Sequence, residues 1–333
     1  GKLGVTIDLK NPEGVEQARR LIAISDVVVE NYSPRVMKGF GLDYASLIQL
    51  KPDIIYLALS GFGATGPDRD NVLYGEGQVA LNGLSSLTGY AGGEPLPLPI
   101  PYPDPVGAMH GLIAVLAALR HRNDTGEGQY IDISQWESAM CLMPEGLLEY
   151  TMNQRVPPRI GNRDQLMAPH GCYPCRGEDK WIAIAVGTEE EWGALCRAIG
   201  RPDLIVDQRY ATLMDRRKRQ DELDEIIAGW TAQHPPYEAM EVLQKAGVAA
   251  TPSLNNEEAV KEPHLNQRGF FVEVDHPATG PRVHPGLPFR FGESPIPIKR
   301  APLLGEHNGY VFRQLLGFTP GEVARLEKEG VLR

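Results

Sequence analysis

The sequence predicts an α/β protein with a parallel sheet, joined to a smaller α+β unit. Over the first 60 residues, apolar segments alternate with amphipathic ones, an order typical of βαβ units. The apolar segments at residues 26–30 and 52–60 are short and continuous, as in strands that are buried on both faces of a sheet. Near residue 155 the composition shifts to proline and polar residues, which predicts a linker between two domains.

The first 60 residues supply the strands and helices of this sheet. Residues 5–9, 26–30 and 52–60 predict strands. Asn11 and Pro12 predict a helix start, because an N-cap side chain followed by proline is common there. Its apolar stripe is Val15, Ala18, Leu21 and Ile22. Residues 36–50 predict a second helix, so the order indicates a parallel sheet with helices on both faces.

Gly61, Gly63 and Gly66 follow the third predicted strand in the spacing G-x-G-x-x-G. A dinucleotide-binding loop of this pattern opens a helix and is followed by an acidic residue at a strand end. Residues 67–70 are turn-forming instead, and no second strand follows at the required distance. We therefore reject a nicotinamide site and expect these glycines to serve a sharp turn or a close backbone approach.

The candidate catalytic residue is Asp104, which follows a predicted helix at residues 78–87 and a loop at 90–103. Asp104 and Pro105 predict the N-cap and the first position of the next helix. The side chains expected to pack inward from this helix are Val106, Met109, Ile113, Leu116 and Ala117. Asp104 is either only a cap or also a nucleophile, and the roles are compatible because a helix N-terminus keeps a carboxylate ionised.

The rest of the chain predicts a return to the first domain after the small one. A strand at residues 129–134 and a long helix at 136–150 precede the linker. The predicted divisions are a large α/β domain at 1–155, a linker at 156–170, a small α+β domain at 171–265 and a segment at 266–333 that completes the large domain.

The small domain opens with a predicted hairpin at residues 171–186. A helix at 188–199 follows, in which Thr188 and Glu191 have capping-box spacing. Helices at 216–233 and 236–246 and a strand at 248–252 complete this domain. Two strands within 267–290 and two amphipathic helices within 310–332 are expected after it.

Charge and cysteine content exclude several classes of function. The chain has 33 basic and 43 acidic side chains, and its net charge of −10 argues against nucleic acid or an anionic membrane as a partner. No apolar run reaches transmembrane length, and nothing resembles a signal peptide. Four cysteines are too few for a disulfide framework in 333 residues, so we expect a cytoplasmic protein.

Other reactive side chains predict no further site. Cys172 and Cys175 lack a second pair of ligands, so we expect buried thiols and no metal site. The eight histidines are scattered, and His110 is expected to be a core or surface residue, although it could reach the cleft. The basic run at residues 216–219 is expected to be a solvated helix start.

A series of short motifs occurs along the chain in the order found in one enzyme family. They are Glu30-Asn-Tyr-Ser-Pro-Arg, Gly39-Phe-Gly-Leu-Asp-Tyr, Gly61-Phe-Gly-Ala-Thr-Gly-Pro, Asp104 with His110, Ala117-Ala-Leu-Arg, Thr125-Gly-Glu-Gly-Gln-Tyr-Ile-Asp, Gly247-Val-Ala-Ala, Pro263-His-Leu, Gln267-Arg-Gly-Phe and Gly305-Glu-His. Together they resemble the class III CoA-transferases, the family of formyl-CoA:oxalate and crotonobetainyl/carnitine CoA-transferases, over essentially the whole chain.

The resemblance implies a fold and an assembly. It implies a Rossmann-like large domain built from both chain ends, with the small domain between, and two ring-shaped protomers threaded together as an interlocked homodimer. Members of the family begin with a further section of roughly 60 residues, about two βα units, which helps to hold the CoA adenine. That section is missing here, so either the sequence is a fragment or the section belongs to another polypeptide, and we assign no adenine contacts.

The resemblance also implies an acyl-CoA:carboxylic acid CoA-transferase. Asp104 aligns with the family's nucleophile and would form an aspartyl anhydride and then an aspartyl-CoA thioester. Acyl-CoA and an acceptor acid are substrates, and no permanent cofactor is implied. Oxyanion-stabilising amides are expected in the loops near residues 161–171. The CoA contacts implied by position are Ile7, Asp8, Leu9, Lys10, Asn31, Tyr32, Ser33, Lys38, Val72, Leu73, Tyr74 and Gly75.

Lys38 stands where the family often has arginine. The lysine keeps the positive charge but loses the bidentate geometry with a phosphate.

Two alternatives remain beside the transferase. An α-methylacyl-CoA racemase of the same superfamily needs a histidine upstream of the aspartate, and the first histidine here is His110, which disfavours it. A non-catalytic CoA-binding subunit is the second alternative, because of the missing front section.

Overall fold

The structure is a computed structural model, and it describes residues 1–293 and 296–332. A parallel three-stranded sheet in the order β1-β2-β3 forms the first part. Its strands are β1 (Val27–Glu30), β2 (Ile55–Ser60) and β3 (Gln129–Ser134). The predicted α/β class with a parallel sheet is confirmed.

Eight helices accompany this sheet in the first 155 residues. They are α1 (Pro12–Ala23), α2 (Pro34–Gly39), α3 (Tyr44–Leu47), α4 (Gly75–Leu81), α5 (Leu84–Leu87), α6 (Pro103–Thr125), α7 (Gln135–Met140) and α8 (Pro144–Asn153). Helices α1 to α3 pack with Tyr56 and Ala58 on one face of the sheet. Helix α6 lies on the opposite face, where Leu57 and Leu59 meet Gly111. The predicted helices on both faces are therefore present.

Helix α6 packs on the sheet through its small residues, which is not the face the sequence predicted. Gly107, Gly111 and Ala118 are buried, and a Cβ at Gly111 would lie 2.9 Å from Leu57 Cδ2. The close approach that small residues allow turns the large side chains away from the sheet. The expected inward stripe is wrong for Met109, Ile113, Leu116 and Ala117, all exposed, and Val106 is half-buried.

Two of the predicted strands differ from expectation. Residues 5–9 form no strand, because their backbone bonds go to the C-terminal segment: Thr6 N donates to Asn308 Oδ1 at 2.9 Å, and Asp8 N to Val331 O at 2.9 Å. An alternating pattern predicts an extended chain but cannot supply a neighbouring strand. Strand β1 is present but is not buried on both faces, since Val29 is 61% exposed.

Four segments that the sequence predicted as single helices each form two shorter helices in the structure. Gly41 and Gly83 have positive φ and separate α2 from α3 and α4 from α5. Pro144 starts α8 and so separates it from α7. The predicted helix at 216–233 consists of α11 (Leu213–Lys218) and α12 (Gln220–Thr231), with Arg219 outside helical geometry between them.

An antiparallel sheet, β4-β5-β6, forms the second part of the chain. Its strands are β4 (His170–Pro174), β5 (Trp181–Ala185) and β6 (Ala249–Ser253), which confirms the predicted hairpin. The other elements of this part are α9 (Glu189–Ala198), α10 (Asp203–Val206), a 3₁₀ turn (Gln208–Tyr210) and α13 (Pro236–Lys245). Thr188 and Glu191 form the expected capping box, and α9, α12 and α13 pack with the sheet in one apolar core.

The last part of the chain contains short helices, a hairpin and a second small core. The elements are α14 (Asn256–Lys261), α15 (Pro263–Gln267), β7 (Phe271–Val274), β8 (Arg282–Pro285), a π-helix (Tyr310–Leu315) and α16 (Pro320–Lys328). The two expected strands pair antiparallel. The C-terminal helices pack with Val5 and Ile7, so the two chain ends meet. The four predicted divisions of the chain stay a prediction.

The expectation that residues 216–219 form a solvated helix start is wrong for Arg216, which is buried. Its guanidinium is buried, donates to both oxygens of Glu189 at 2.7 and 2.9 Å, and donates to the carbonyls of Ala168 and Tyr210. Its Cζ lies 5.2 Å from the ring centroid of Trp192. A buried arginine needs such partners, and charge runs in a sequence do not reveal them.

Candidate active site

Asp104 lies in the first turn of α6 and not at the N-cap position that the sequence predicted for it. Tyr102 occupies the N-cap and Pro103 starts the helix, so Asp104 is not the N-cap, and no side chain caps this helix. Asp104 N donates to Pro101 O at 3.0 Å. None of the described residues donates a hydrogen bond to the Asp104 carboxylate, which leaves its lone pairs available for chemistry.

The backbone of Gly75, at the start of α4, lies against this carboxylate. A Cβ built on Gly75 would be 2.8 Å from Asp104 Oδ2 and 2.2 Å from Pro101 Cβ. Only glycine fits this contact, because any side chain would collide with both neighbours. The structure thus brings together Gly75 and Asp104, two of the residues singled out in the sequence.

The pKa of Asp104 is raised from its usual value of 3.8, first by burial and second by the negative charge of Glu76. The helix-start argument predicts the opposite direction, and the composition of the turn explains the difference. Pro103 and Pro105 have no N–H, so this helix offers few amides to a carboxylate. Burial and the charge of Glu76 therefore set the direction of the shift.

A pair of hydrogen-bonded side-chain amides, one of them buried, lies about one helical turn along α4 and α6 from Gly75 and Asp104. Gln78 Nε2 donates to Gln135 Oε1 at 2.9 Å, and Gln135 packs against Gly107, where a Cβ would lie 3.0 Å from Gln135 Cγ. Gln78 is fully buried, and its Oε1 has no hydrogen-bond partner in the described residues. The pair connects α4, α6 and α7, the three helices around Asp104.

The glycine loop at residues 61–66 is fastened to β3 and α7. Ala64 N donates to Asp132 Oδ1 at 2.8 Å, while Ser134 Oγ and Trp136 N donate to Gly61 O. The loop opens no helix, since turns follow it up to residue 71. Gly61 lies against Leu73, with a Cβ position 2.9 Å from Leu73 Cβ, so this loop supports the segment before Gly75.

The CoA contacts implied by the resemblance fall into three groups. Residues 7–10 precede α1, where Ile7 and Leu9 pack against different cores and Lys10 N donates to Asp8 Oδ1 at 3.0 Å. Residues 31–33 follow β1, and Lys38 is exposed on α2. Residues 72–75 precede α4, with Val72 and Tyr74 exposed and Leu73 half-buried.

Tyr32 and Lys38 line one cavity of about 300 Å³ at the carboxyl end of the parallel strands. Glu30 lies in its wall, is 8% exposed and accepts from Tyr32 N at 2.7 Å. Burial, together with the Asp132 carboxylate, raises the pKa of Glu30. Tyr44, Tyr56 and Tyr130 form the floor, with ring centroids 5.4 to 6.3 Å apart.

Sequence reasoning missed several polar residues of the site. Glu76 and Gln78 lie within one turn of Gly75, and Glu30 ends a predicted strand, so their positions along the chain carried a signal. Their burial and charge interactions depend on contacts between segments that are distant in the sequence, such as Gln78 with Gln135.

Residues 1–308 match the model of CoA-transferase family III. The chain belongs to CoA-transferase family III. It is 32% identical to the succinyl-CoA–D-citramalate CoA-transferase of Chloroflexus aurantiacus and 31% identical to the formyl-CoA:oxalate CoA-transferase of Bradyrhizobium diazoefficiens, in each case over 99% of this chain and 82% of the relative. These relatives confirm the resemblance found in the motifs.

The solved structures agree with this family III membership. A CAIB/BAIF family protein from Brucella suis matches with a TM-score of 0.85 and 28% identity over 93% of this chain and 81% of that one. Among the described residues, no helix is long and apolar enough to cross a bilayer. Within the same residues, no three or more His, Cys, Asp or Glu side chains are grouped to hold a metal ion.

Proposed function

We propose that this family III chain is an acyl-CoA:carboxylic acid CoA-transferase in which Asp104 is the covalent nucleophile. One observation carries the assignment: the Asp104 carboxylate is partly withdrawn from water, lies against Gly75, and receives no hydrogen bond from the described residues. A carboxylate without donors keeps its full basicity, and burial, which raises its pKa, increases that basicity further.

The reaction proceeds through covalent intermediates on this side chain. Asp104 attacks the thioester carbonyl of the donor and forms a mixed anhydride, while CoA leaves as a thiolate. The thiolate attacks the aspartyl carbonyl, which releases the donor acid and leaves an aspartyl-CoA thioester. The acceptor carboxylate displaces CoA to form a second anhydride, and the thiolate then takes the acceptor acyl group, which regenerates Asp104.

CoA is proposed to bind at the residues named from the resemblance, as a substrate and with no permanently bound cofactor. Lys38 is exposed beside the strand ends and can attract a phosphate group as a point charge. The proposed donors to the developing oxyanions are the amides within residues 161–171 that are not already hydrogen-bonded within the fold. All four cysteines are free thiols, which supports the proposed cytoplasmic location.

An interlocked homodimer is proposed as the assembly. On α6, four large apolar side chains are 57–64% exposed: Met109, Leu112, Ile113 and Leu116. Contiguous apolar surface of this kind marks protein interfaces, and a second copy would cover it. Native mass spectrometry should show a dimer, and I113E should weaken it, whereas a wild-type monomer at micromolar concentration would contradict the assembly.

Covalent trapping tests the nucleophile. The protein is mixed with an acyl-CoA, quenched with hydroxylamine or borohydride, digested and analysed by mass spectrometry. We expect the modification on the peptide that contains Asp104, and none on D104N. An active preparation whose Asp104 peptide stays unmodified would overturn the proposal.

A solvent-exchange measurement separates the racemase alternative. In deuterated water without an acceptor acid, the transferase leaves the α-hydrogen of a branched acyl-CoA unexchanged. Deuterium at that carbon would favour the racemase. D104A with unchanged transfer would favour the non-catalytic subunit.

A further inference from the structure

Residues 82–101 connect α4 to α6, the two helices that meet at Asp104. The segment contains α5 and a loop that closes on itself, since Leu96 N donates to Thr88 O at 2.9 Å. It then returns to Pro101, which contacts the Gly75 position and accepts from Asp104 N. The segment therefore ends at a residue that contacts both Gly75 and Asp104.

Arg159, in the extended stretch after α8, fastens this segment. Its Nε and Nη2 donate to Gly93 O at 3.1 and 2.7 Å, and its Nη1 donates to Ser86 O at 3.1 Å. One guanidinium thus bridges two backbone carbonyls that are seven residues apart in the loop. Such forked geometry is specific to arginine.

Two glycines let the linker approach this closely. Gly161 N donates to Gly89 O at 2.9 Å, and a Cβ on Gly161 would lie 2.9 Å from the Tyr90 ring. Gly89 has a φ of +137°, and a Cβ there would lie 2.8 Å from Arg159 Cδ. The contact is thus made by backbone and side chain together, and we call residues 159–161 with 86–93 the clasp.

The other end of the linker is fastened to the helices of the second part. Arg163 pairs with Asp221 and with Asp224, whose Oδ2 lies 3.2 Å away. Arg216 Nε donates to Ala168 O at 3.0 Å, and Gln220 Nε2 donates to His170 O at 3.1 Å. The linker therefore ties α11 and α12 to the segment that leads to Asp104.

We propose that Arg159 is a positioning residue: through the clasp it fixes residues 86–93 and thereby the position of Asp104 relative to the bound thioester. This inference rests on the proposed function. Arg159 touches no residue named as a CoA contact, so it acts on the chemical step and not on CoA binding. Misplacement of a reacting group by about 1 Å can cost roughly 10²-fold in rate.

The test compares R159A and R159K with R155A. Arg155 lies just before this linker and pairs with Glu149, so its removal takes away one arginine but leaves the clasp intact. The first readout is hydrogen–deuterium exchange of residues 84–101, which needs no substrate. We expect faster exchange in R159A, an intermediate rate in R159K because lysine reaches one carbonyl, and the wild-type rate in R155A.

The second readout is steady-state transfer with one acyl-CoA and one acid that the wild type accepts. We expect kcat to fall about 10²-fold in R159A, less in R159K, and not in R155A, with KM for acyl-CoA within about twofold throughout. The rate of Asp104 acylation in a single turnover should fall with kcat. A merely structural role would instead lower the apparent kcat and the amplitude of Asp104 acylation in proportion to the folded fraction, and would leave KM and the single-turnover rate constant unchanged.

The outcomes distinguish this inference from the proposed function. If the wild type transfers CoA and R159A matches R155A in kcat, Arg159 is not a positioning residue. If residues 84–101 exchange equally in R159A and R155A, the clasp does not hold the loop and the inference is overturned. If the wild type lacks transfer while exchange still responds to R159A, the proposed function fails although the clasp exists.

Discussion

Two charged side chains that the fold withdraws from water, Asp104 and Arg216, differ in their hydrogen bonding. Asp104 is held against Gly75 with no hydrogen-bond donor from the described residues, and its pKa is raised. Arg216 is 1% exposed and donates to Glu189, Ala168 and Tyr210. The fold satisfies one charge completely and leaves the other unsatisfied.

The difference separates a structural charge from a reactive one. A buried ion with all partners lowers the energy of the folded state relative to the same ion without them. A carboxylate without partners costs stability, and proteins retain such groups at functional sites. The comparison predicts that loss of Asp104 removes activity at no cost in stability, and that loss of Arg216 does the reverse.

The largest expected effect is that of D104N on activity. Asparagine keeps the shape but cannot form an anhydride, so kcat for CoA transfer should fall by about 10⁴-fold or more, as for other covalent nucleophiles. The free energy of unfolding should stay equal or rise, since the neutral amide removes a half-buried charge that has no donor among the described residues. Transfer assays and urea unfolding measure the two effects. A loss of stability in D104N as large as that in R216M would contradict the distinction between a reactive and a structural charge.

Whether a feature depends on neighbouring or on distant residues decides whether the sequence could predict it. Alternation of apolar segments predicted the parallel sheet, and local pairs such as Thr188 with Glu191 predicted helix starts, because neighbours in the chain decide both. The packed face of α6 was predicted wrongly, because Gly111 approaches Leu57 and Leu59, which belong to a strand far earlier in the chain. The partners of Arg216 were missed for the same reason.

At the site, the family resemblance pointed to Asp104 and Gly75, but their contact and the direction of the Asp104 pKa shift came only from the structure. Burial depends on three helices from separate parts of the chain. The effect of Pro103 and Pro105 on the amides of the first turn could have been read from the sequence, and it would have corrected the expected helix-dipole effect.

The second largest effect is the stability loss of R216M. Methionine keeps much of the apolar stem but leaves the carbonyls of Ala168 and Tyr210 without a donor, and each unsatisfied buried acceptor costs about 1–3 kcal/mol. We expect the free energy of unfolding to fall by about 3 kcal/mol. R217M, on the same helix and outside this network, is the control and should change stability by less than about 0.5 kcal/mol.

The Arg216–Glu189 pair also predicts a pH dependence of stability. The Arg216 hydrogen bonds hold the pKa of Glu189 below its usual 4.5. A depressed pKa adds stability that is complete above 4.5 and is lost as the pH falls through the folded-state pKa. The difference in unfolding free energy between wild type and E189Q should therefore shrink below pH 4.5. Because Glu189 is 59% exposed, this effect should be smaller than that of R216M, and a difference that grows on acidification would contradict the pair.

The smallest expected effect concerns the charge of Glu76 on Asp104. Glu76 raises the pKa of Asp104, although burial contributes more. Asp104 must be ionised to attack, so E76Q should move the acid limb of the kcat/KM profile to lower pH and leave kcat on the plateau unchanged.

Glu76 is exposed and therefore screened by salt, with a Debye length of about 8 Å at 0.15 M, so added salt should shift the wild-type limb the same way and E76Q less. E137Q, an exposed glutamate in the first turn of α7, is the matched control. An acid limb that moves equally in both variants would mean that net charge, and not the position of Glu76, sets the ionisation of Asp104.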